Sequence, residues 1–155
     1  MHIAVGADHA GYPLKLEVIR FLEEQGHQVM DLGTHSTDPV DYPAYAKQVG
    51  QAVQLGKVDR GVLVCGSGVG ACVAANKLRG IRAALCHDTY TAHQGVEHDD
   101  VNVLCLGGRV VGPALTCDIL RSWLTARYLG TGRHKQRVDQ ILEIERSEAA
   151  RKEVG

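Results

Sequence analysis

Large flat side chains are scarce in this sequence: aromatics make up 5% of 155 residues, with one Trp and one Phe. That scarcity argues against a sandwich packed on Tyr and Trp, and 18 glycines point to tight turns and small-residue packing instead. Net charge is missing as well. Seventeen Lys and Arg against 18 Asp and Glu leave a formal −1, which argues against a general nucleic-acid or anionic-membrane binder. With 45% hydrophobic residues and so little charge imbalance, disorder is excluded too. There is no long apolar run. The longest uncharged stretch, residues 61–76, holds four glycines and is too short and too broken to cross a bilayer core of ~30 Å. Met1 to Asp8 lack the basic-then-apolar order of a signal peptide. The five cysteines form no CxxC pair and are odd in number, so free thiols in the reducing cytoplasm are expected.

What is present is alternation. Short apolar runs at Ile3–Val5, Val29–Leu32, Val62–Cys65, Ala83–Cys86 and Val103–Leu106 suit parallel strands covered on both faces. Helix patterns stand between them. Pro13–Gln25 carries Leu14, Val18, Ile19, Phe21 and Leu22 on one broad face, and Gly26 closes it. Pro43–Leu55, Val69–Leu78, the polar Thr89–Glu97 and Pro113–Tyr128 follow. Five strand–helix alternations predict one domain over residues 1–155, a three-layer α/β/α Rossmann-like fold with a five-stranded parallel sheet. A further helix, 133–151, comes after the sheet is complete and interleaves acids and bases. Little core remains for it to fill, so it is expected to pack on a partner subunit.

In open α/β sheets ligands bind beyond the carboxyl ends of the strands. That rule selects Asp8 and His9 after the first strand, and Gly33 onward to Asp41 and Tyr42 after the second. It also selects Cys65-Gly66-Ser67-Gly68-Val69-Gly70, His87-Asp88 and Gly107-Gly108-Arg109 after the others. Alternating glycines between a buried strand and a helix let backbone N–H groups converge on an anion or on a developing oxyanion. The bland reading of the same loop is a tight turn with a core cysteine. Three named motifs fail on it. A dinucleotide fingerprint at Gly66-x-Gly68-x-x-Ala71 would follow the third strand, not the first. A cysteine phosphatase needs Arg where Ala71 stands, and a Walker loop needs a closing Gly-Lys-Ser/Thr. His87, His93 and His98, with Asp88, Asp99 and Asp100, invite a metal test, but their spacings of six and five miss the i,i+3 and i,i+4 helical pairs. One of these histidines as a general acid–base is the other option. Arg133 and Arg137, one helical turn apart, form either a wet charged face or a bidentate phosphate grip. Together these residues point to a small phosphorylated substrate, one thiol, one histidine, and no required cofactor.

The order of motifs is also similar to a known family. Gly6-x-Asp8-His9-Ala10-Gly11, Asp41-Tyr42-Pro43, Cys65 to Gly70, and Ala75-Asn76-Lys77 with Gly80-Ile81-Arg82-Ala83 resemble the ribose-5-phosphate isomerase B family. So do Glu97-His98 with Asn102-Val103-Leu104, Gly108-Arg109-Val110, and Gly132-Arg133-His134 with Arg137-Val138. The resemblance implies a cytoplasmic, metal-independent aldose–ketose isomerase of pentose phosphate metabolism, a homodimer or dimer of dimers with shared active sites. Ribose 5-phosphate and ribulose 5-phosphate would interconvert through a cis-enediolate. Allose 6-phosphate, galactose 6-phosphate or a tetrose phosphate are alternative substrates; a non-catalytic nucleotide-binding module is the reading from another class. Carried over residue by residue, Cys65 takes the C2 proton, Ser67 helps move protons between oxygens, and the amides of Gly66, Gly68 and Gly70 hold the enediolate. His98 opens the sugar ring, and Asp8 and Tyr42 handle ring oxygens. His9, Arg109, Arg133 and Arg137 grip the phosphate, some across the dimer. Asp99 stands where many relatives carry Asn; an ionised Asp only accepts hydrogen bonds, and this bears on which hydroxyls the site reads.

Overall fold

The computed structural model describes residues 1–153. Five strands, β1 (His2–Ala7), β2 (Gln28–Asp31), β3 (Arg60–Cys65), β4 (Ala83–Leu85) and β5 (Val103–Gly107), pair in parallel in the order β2-β1-β3-β5-β4. Helices α1 (Tyr12–Glu24), α2 (Tyr42–Gln54), α3 (Val69–Ala75), α4 (Thr89–Asp99) and α5 (Pro113–Thr125) each follow one strand, and α6 (Gly132–Glu153) follows α5. The strand order reverses between β1 and β3, so loops diverge there and leave a crevice. Register places that crevice. Ala7 pairs with Val64 and Cys65 with Gly107, so β1, β3 and β5 end side by side.

Side chains alternate across the sheet, and each face builds its own core. Val62, Val64, Leu104 and Leu106 pack with Leu14, Val18 and Leu22 of α1 and with Ile119, Leu120 and Trp123 of α5. Leu63, Cys65, Val103 and Cys105 meet the smaller Ala46, Val49, Ala71 and Ala75 of α2 and α3 on the other face. This second layer sits very close to the sheet: a Cβ on Gly6 or Gly61 would lie 2.8 or 2.5 Å from the Val49 side chain. The abundance of glycine and the shortage of aromatics are thus one packing solution.

Three local features depart from the periodic pattern. Lys15 is fully buried on α1, its Nζ 2.6 Å from Asp31 Oδ1 at the end of β2 and 5.5 Å from the Tyr12 ring centroid. Helix α5 stops at Thr125, three residues short of the expected Tyr128. There the Arg60 guanidinium donates to the carbonyls of Trp123 and Ala126, and Arg127 to those of Leu124 and Ala126, so the last turn is satisfied from outside the helix. Helix α3 likewise ends at Ala75 rather than Leu78; the Asn76 amide bridges to Ala83, donating to its carbonyl and accepting from its N–H. Helix α6 packs against α4 and buries Val138, but Ile141 and Ile144 stand 45% and 63% exposed. No described helix is long and apolar enough to cross a membrane.

Candidate active site

The crevice holds a cleft of about 380 Å³ lined by Asp8, His9, Tyr42, Cys65, Gly66, Ser67, Gly70 and Arg109, all singled out from sequence, together with Ala10 and Val110. Cys65 ends β3 and is 4% exposed. Its Sγ accepts from the Gly68 N–H at 3.2 Å, so negative charge on the sulfur has a backbone donor aimed at it. Gly68 is left-handed at φ 82°, and a Cβ there would lie 2.5 Å from Leu85 Cδ1 and 2.8 Å from the Leu106 carbonyl carbon. Only glycine holds that turn. Ser67 is exposed, its Oγ accepting from the Val69 N–H at 3.3 Å. Gly70 lets Tyr42 close on the loop; a Cβ would meet the phenol ring at 2.5 Å.

Neighbouring loops are tied to this one by backbone bonds. Gly108 N–H donates to the Cys65 carbonyl at 2.8 Å, and Arg109 N–H to the Gly66 carbonyl at 3.0 Å. Asp8 is buried, its Oδ1 accepting from the Gly11 N–H at 2.9 Å. His9 Nδ1 faces the Val40 backbone, 3.1 Å from its N–H and 3.2 Å from its carbonyl oxygen, so the loop after β2 holds the ring in place beside the cleft. His87, weighed as a metal ligand from sequence, instead accepts from the Gly107 N–H at 3.1 Å and fixes the end of β5. Nothing in its spacing signals that task. Among the described residues no three His, Cys, Asp or Glu side chains are grouped to hold a metal ion.

His98, Asp99, Arg133 and Arg137 do not line this cleft. They gather elsewhere, where the end of α4 meets the start of α6. The His98 and His134 rings stack with centroids 3.9 Å apart and planes 18° from parallel. Desolvation pushes the His134 imidazole below its ordinary range, with His98, Arg133 and Arg137 adding to it and Asp99 opposing. Arg20, Arg82, Arg121, Arg146 and Arg151 each pair with a carboxylate. Among the described residues Arg109, Arg133 and Arg137 take no such partner. One chain therefore carries a thiol-and-amide cleft and, apart from it, a histidine–arginine cluster.

Residues 3–141 match the family described as ribose/galactose isomerase. The chain belongs to that family. It is 51% identical over 143 residues to ribose-5-phosphate isomerase B of Escherichia coli strain K12, covering 92% of this chain and 95% of that protein. It is also 42% identical over 136 residues to D-erythrulose-4-phosphate isomerase of Pectobacterium atrosepticum, covering 85% of this chain and 88% of that protein. Among solved structures, ribose-5-phosphate isomerase B of Clostridium thermocellum superposes with a TM-score of 0.93 at 48% identity, covering 96% of this chain and 99% of that one. This ribose/galactose isomerase is an aldose–ketose isomerase, and its Rossmann-like sheet is that of the ribose-5-phosphate isomerase B structures.

Proposed function

We propose that the protein interconverts D-ribose 5-phosphate and D-ribulose 5-phosphate, with Cys65 as the base at C2 and C1. The observation that carries the reading is the Cys65 sulfur, held by the Gly68 N–H in a cleft that also presents Ser67, Asp8 and the unpaired Arg109. A proton beside a carbonyl is too weak an acid for a side-chain base unless the enediolate charge is stabilised, and preorganised amides supply that stabilisation. In this reading the amides of Gly66 and Gly70 hold the enediolate while the Gly68 N–H, buried beneath the cleft, stays on the Cys65 sulfur, and the proton that Cys65 takes from C2 returns to C1. Ser67 relays the accompanying proton between O1 and O2. Asp8 and Tyr42 take the ring oxygens, and His9 meets the phosphate beside Arg109. Phosphate binding far from C1 and C2 orients the reacting carbons.

His98, Asp99, Arg133 and Arg137 complete the site from a second copy, His98 opening the ring and the arginines closing on phosphate. The separation of the two clusters within one chain supports this shared-site homodimer, and so do the exposed Ile141 and Ile144 on α6. Residues 1–155 then act as one isomerase domain in the cytoplasm, with α6 against the partner. Asp99 favours a second reading, an aldose phosphate with different hydroxyl stereochemistry or a shorter chain, and the Pectobacterium relative is named for a tetrulose phosphate. Turnover of ribose 5-phosphate by the purified protein in excess EDTA tests the proposal. A kcat/KM for ribose 5-phosphate above those for erythrose 4-phosphate and allose 6-phosphate is expected. A tetrose or hexose phosphate ranked first sinks the substrate assignment, and loss of turnover in EDTA sinks the metal-free mechanism.

A further inference from the structure

We propose that Gln94 and Asp99 act as a pair that fixes the proton of His98 on Nε2; this rests on the reading of His98 as the ring-opening group. Gln94 and His98 lie one turn apart on α4, facing each other. The Gln94 amide nitrogen is 2.9 Å from His98 Nδ1 and 3.3 Å from Asp99 Oδ2. A carboxamide offers a donor at one end and an acceptor at the other, and the surrounding network decides which end points where. Asp99 decides it here. An ionised carboxylate only accepts, so it draws the NH₂ end of Gln94, and that end has nothing but protons to present to His98. His98 Nδ1 is therefore the lone-pair nitrogen, and the proton of the neutral ring sits on Nε2.

The opposite edge of the ring agrees. Glu97 Oε2, another acceptor, lies 3.7 Å from His98 Nε2. The His134 ring stacked at 3.9 Å holds the imidazole plane without competing for either nitrogen. The outcome is an N–H donor at Nε2 of a ring whose orientation is set from three sides. Net opening of a furanose moves the proton of the anomeric hydroxyl to the ring oxygen as the C1–O bond breaks, and Nε2–H is the hydrogen-bond donor at that oxygen. Asn at position 99 would offer both a donor and an acceptor and leave the Gln94 amide free to turn over. Asp99 is thus a positioning residue acting through Gln94, where the sequence had pointed to direct contact with sugar hydroxyls.

Histidine ¹⁵N–¹H spectra of the full-length protein report which ring nitrogen is protonated, and the His98 signal is assigned by its loss in His98→Asn. In the wild type the His98 proton is expected on Nε2. Gln94→Glu puts an acceptor beside Nδ1 and is expected to move the proton there, lowering kcat about 10²-fold, the low end of what a positioned acid–base group contributes, with KM changed far less. A wild-type proton on Nδ1, or one that stays on Nε2 in Gln94→Glu, overturns the proposal. Unchanged turnover in His98→Asn would instead remove the ring-opening role beneath it, whatever the spectra show.

Discussion

The cleft and the histidine–arginine cluster are built by different means. Around Cys65 the positions are set by backbone: a left-handed Gly68, N–H bonds from Gly68, Gly108 and Arg109, and three strands whose ends are in register. Around His98 they are set by side chains, with a stacked ring, an amide and the charged Glu97, Asp99, Arg133 and Arg137 on two helices. Backbone geometry suits the part of the reaction where charge develops on carbon-bound oxygens, because fixed dipoles need no rearrangement there. In the proposed reaction, side chains on the helices are left to open the sugar ring and to add to the grip of His9 and Arg109 on phosphate. A fold that separates these tasks can change its substrate on the helices while keeping the chemistry in the sheet.

The largest effect should come from the backbone-built half. Cys65→Ala removes the proposed base, and general-base contributions run to about 10²–10⁴-fold in rate. Turnover of ribose 5-phosphate should fall by at least that lower bound, while inorganic phosphate still binds by calorimetry because Arg109 and His9 are untouched. Near-normal turnover would show that the sulfur is a packing atom and that the contrast between the two regions has been misread.

A second test strikes the support of the cleft. Asp31 holds the buried Lys15 and also accepts from the Gly33 N–H at 2.9 Å, at the start of the loop that carries Val40 to His9. Asp31→Ala leaves the Lys15 charge buried without a partner, a change that costs about 3–5 kcal/mol. Lys15→Met should cost clearly less, because the Asp31 side chain is 32% exposed and keeps its Gly33 bond. Urea unfolding of both variants measures the difference. Equal losses would show that the pair is not energetically asymmetric.

The strands, the five helices beyond them and the cleft were legible because each leaves a local trace: a continuous apolar run, a Pro–Gly bracket, a glycine loop after a strand. Lys15 was not, because a lysine inside an apolar stripe reads as a polar interruption until Asp31 is placed opposite it. The early end of α5 depended on Arg60, 63 residues away from its Trp123 acceptor. The task of His87 was hidden too: spacing along the chain spoke against a metal ligand but says nothing about an amide on the neighbouring strand. The separation of His98 and Arg133 from Cys65 left no local trace in the chain; only the family resemblance, with its expectation of sites shared across a homodimer, pointed to it.

That last point yields the smallest but sharpest effect. If each complete site draws Cys65 from one copy and His98 from the other, Cys65→Ala and His98→Asn dimers are each inactive at both sites. A mixed dimer has one site with both lesions and one with neither. Random reassembly of equal amounts makes about half the dimers mixed, each with one intact site of two, so activity should return to about one quarter of wild type, as two-fold symmetry requires. A ratio series should follow the mixed fraction, peaking at equal amounts. If instead both residues served the same copy, every site in a mixed dimer would carry one lesion, and no mixture would exceed the sum of its inactive parents.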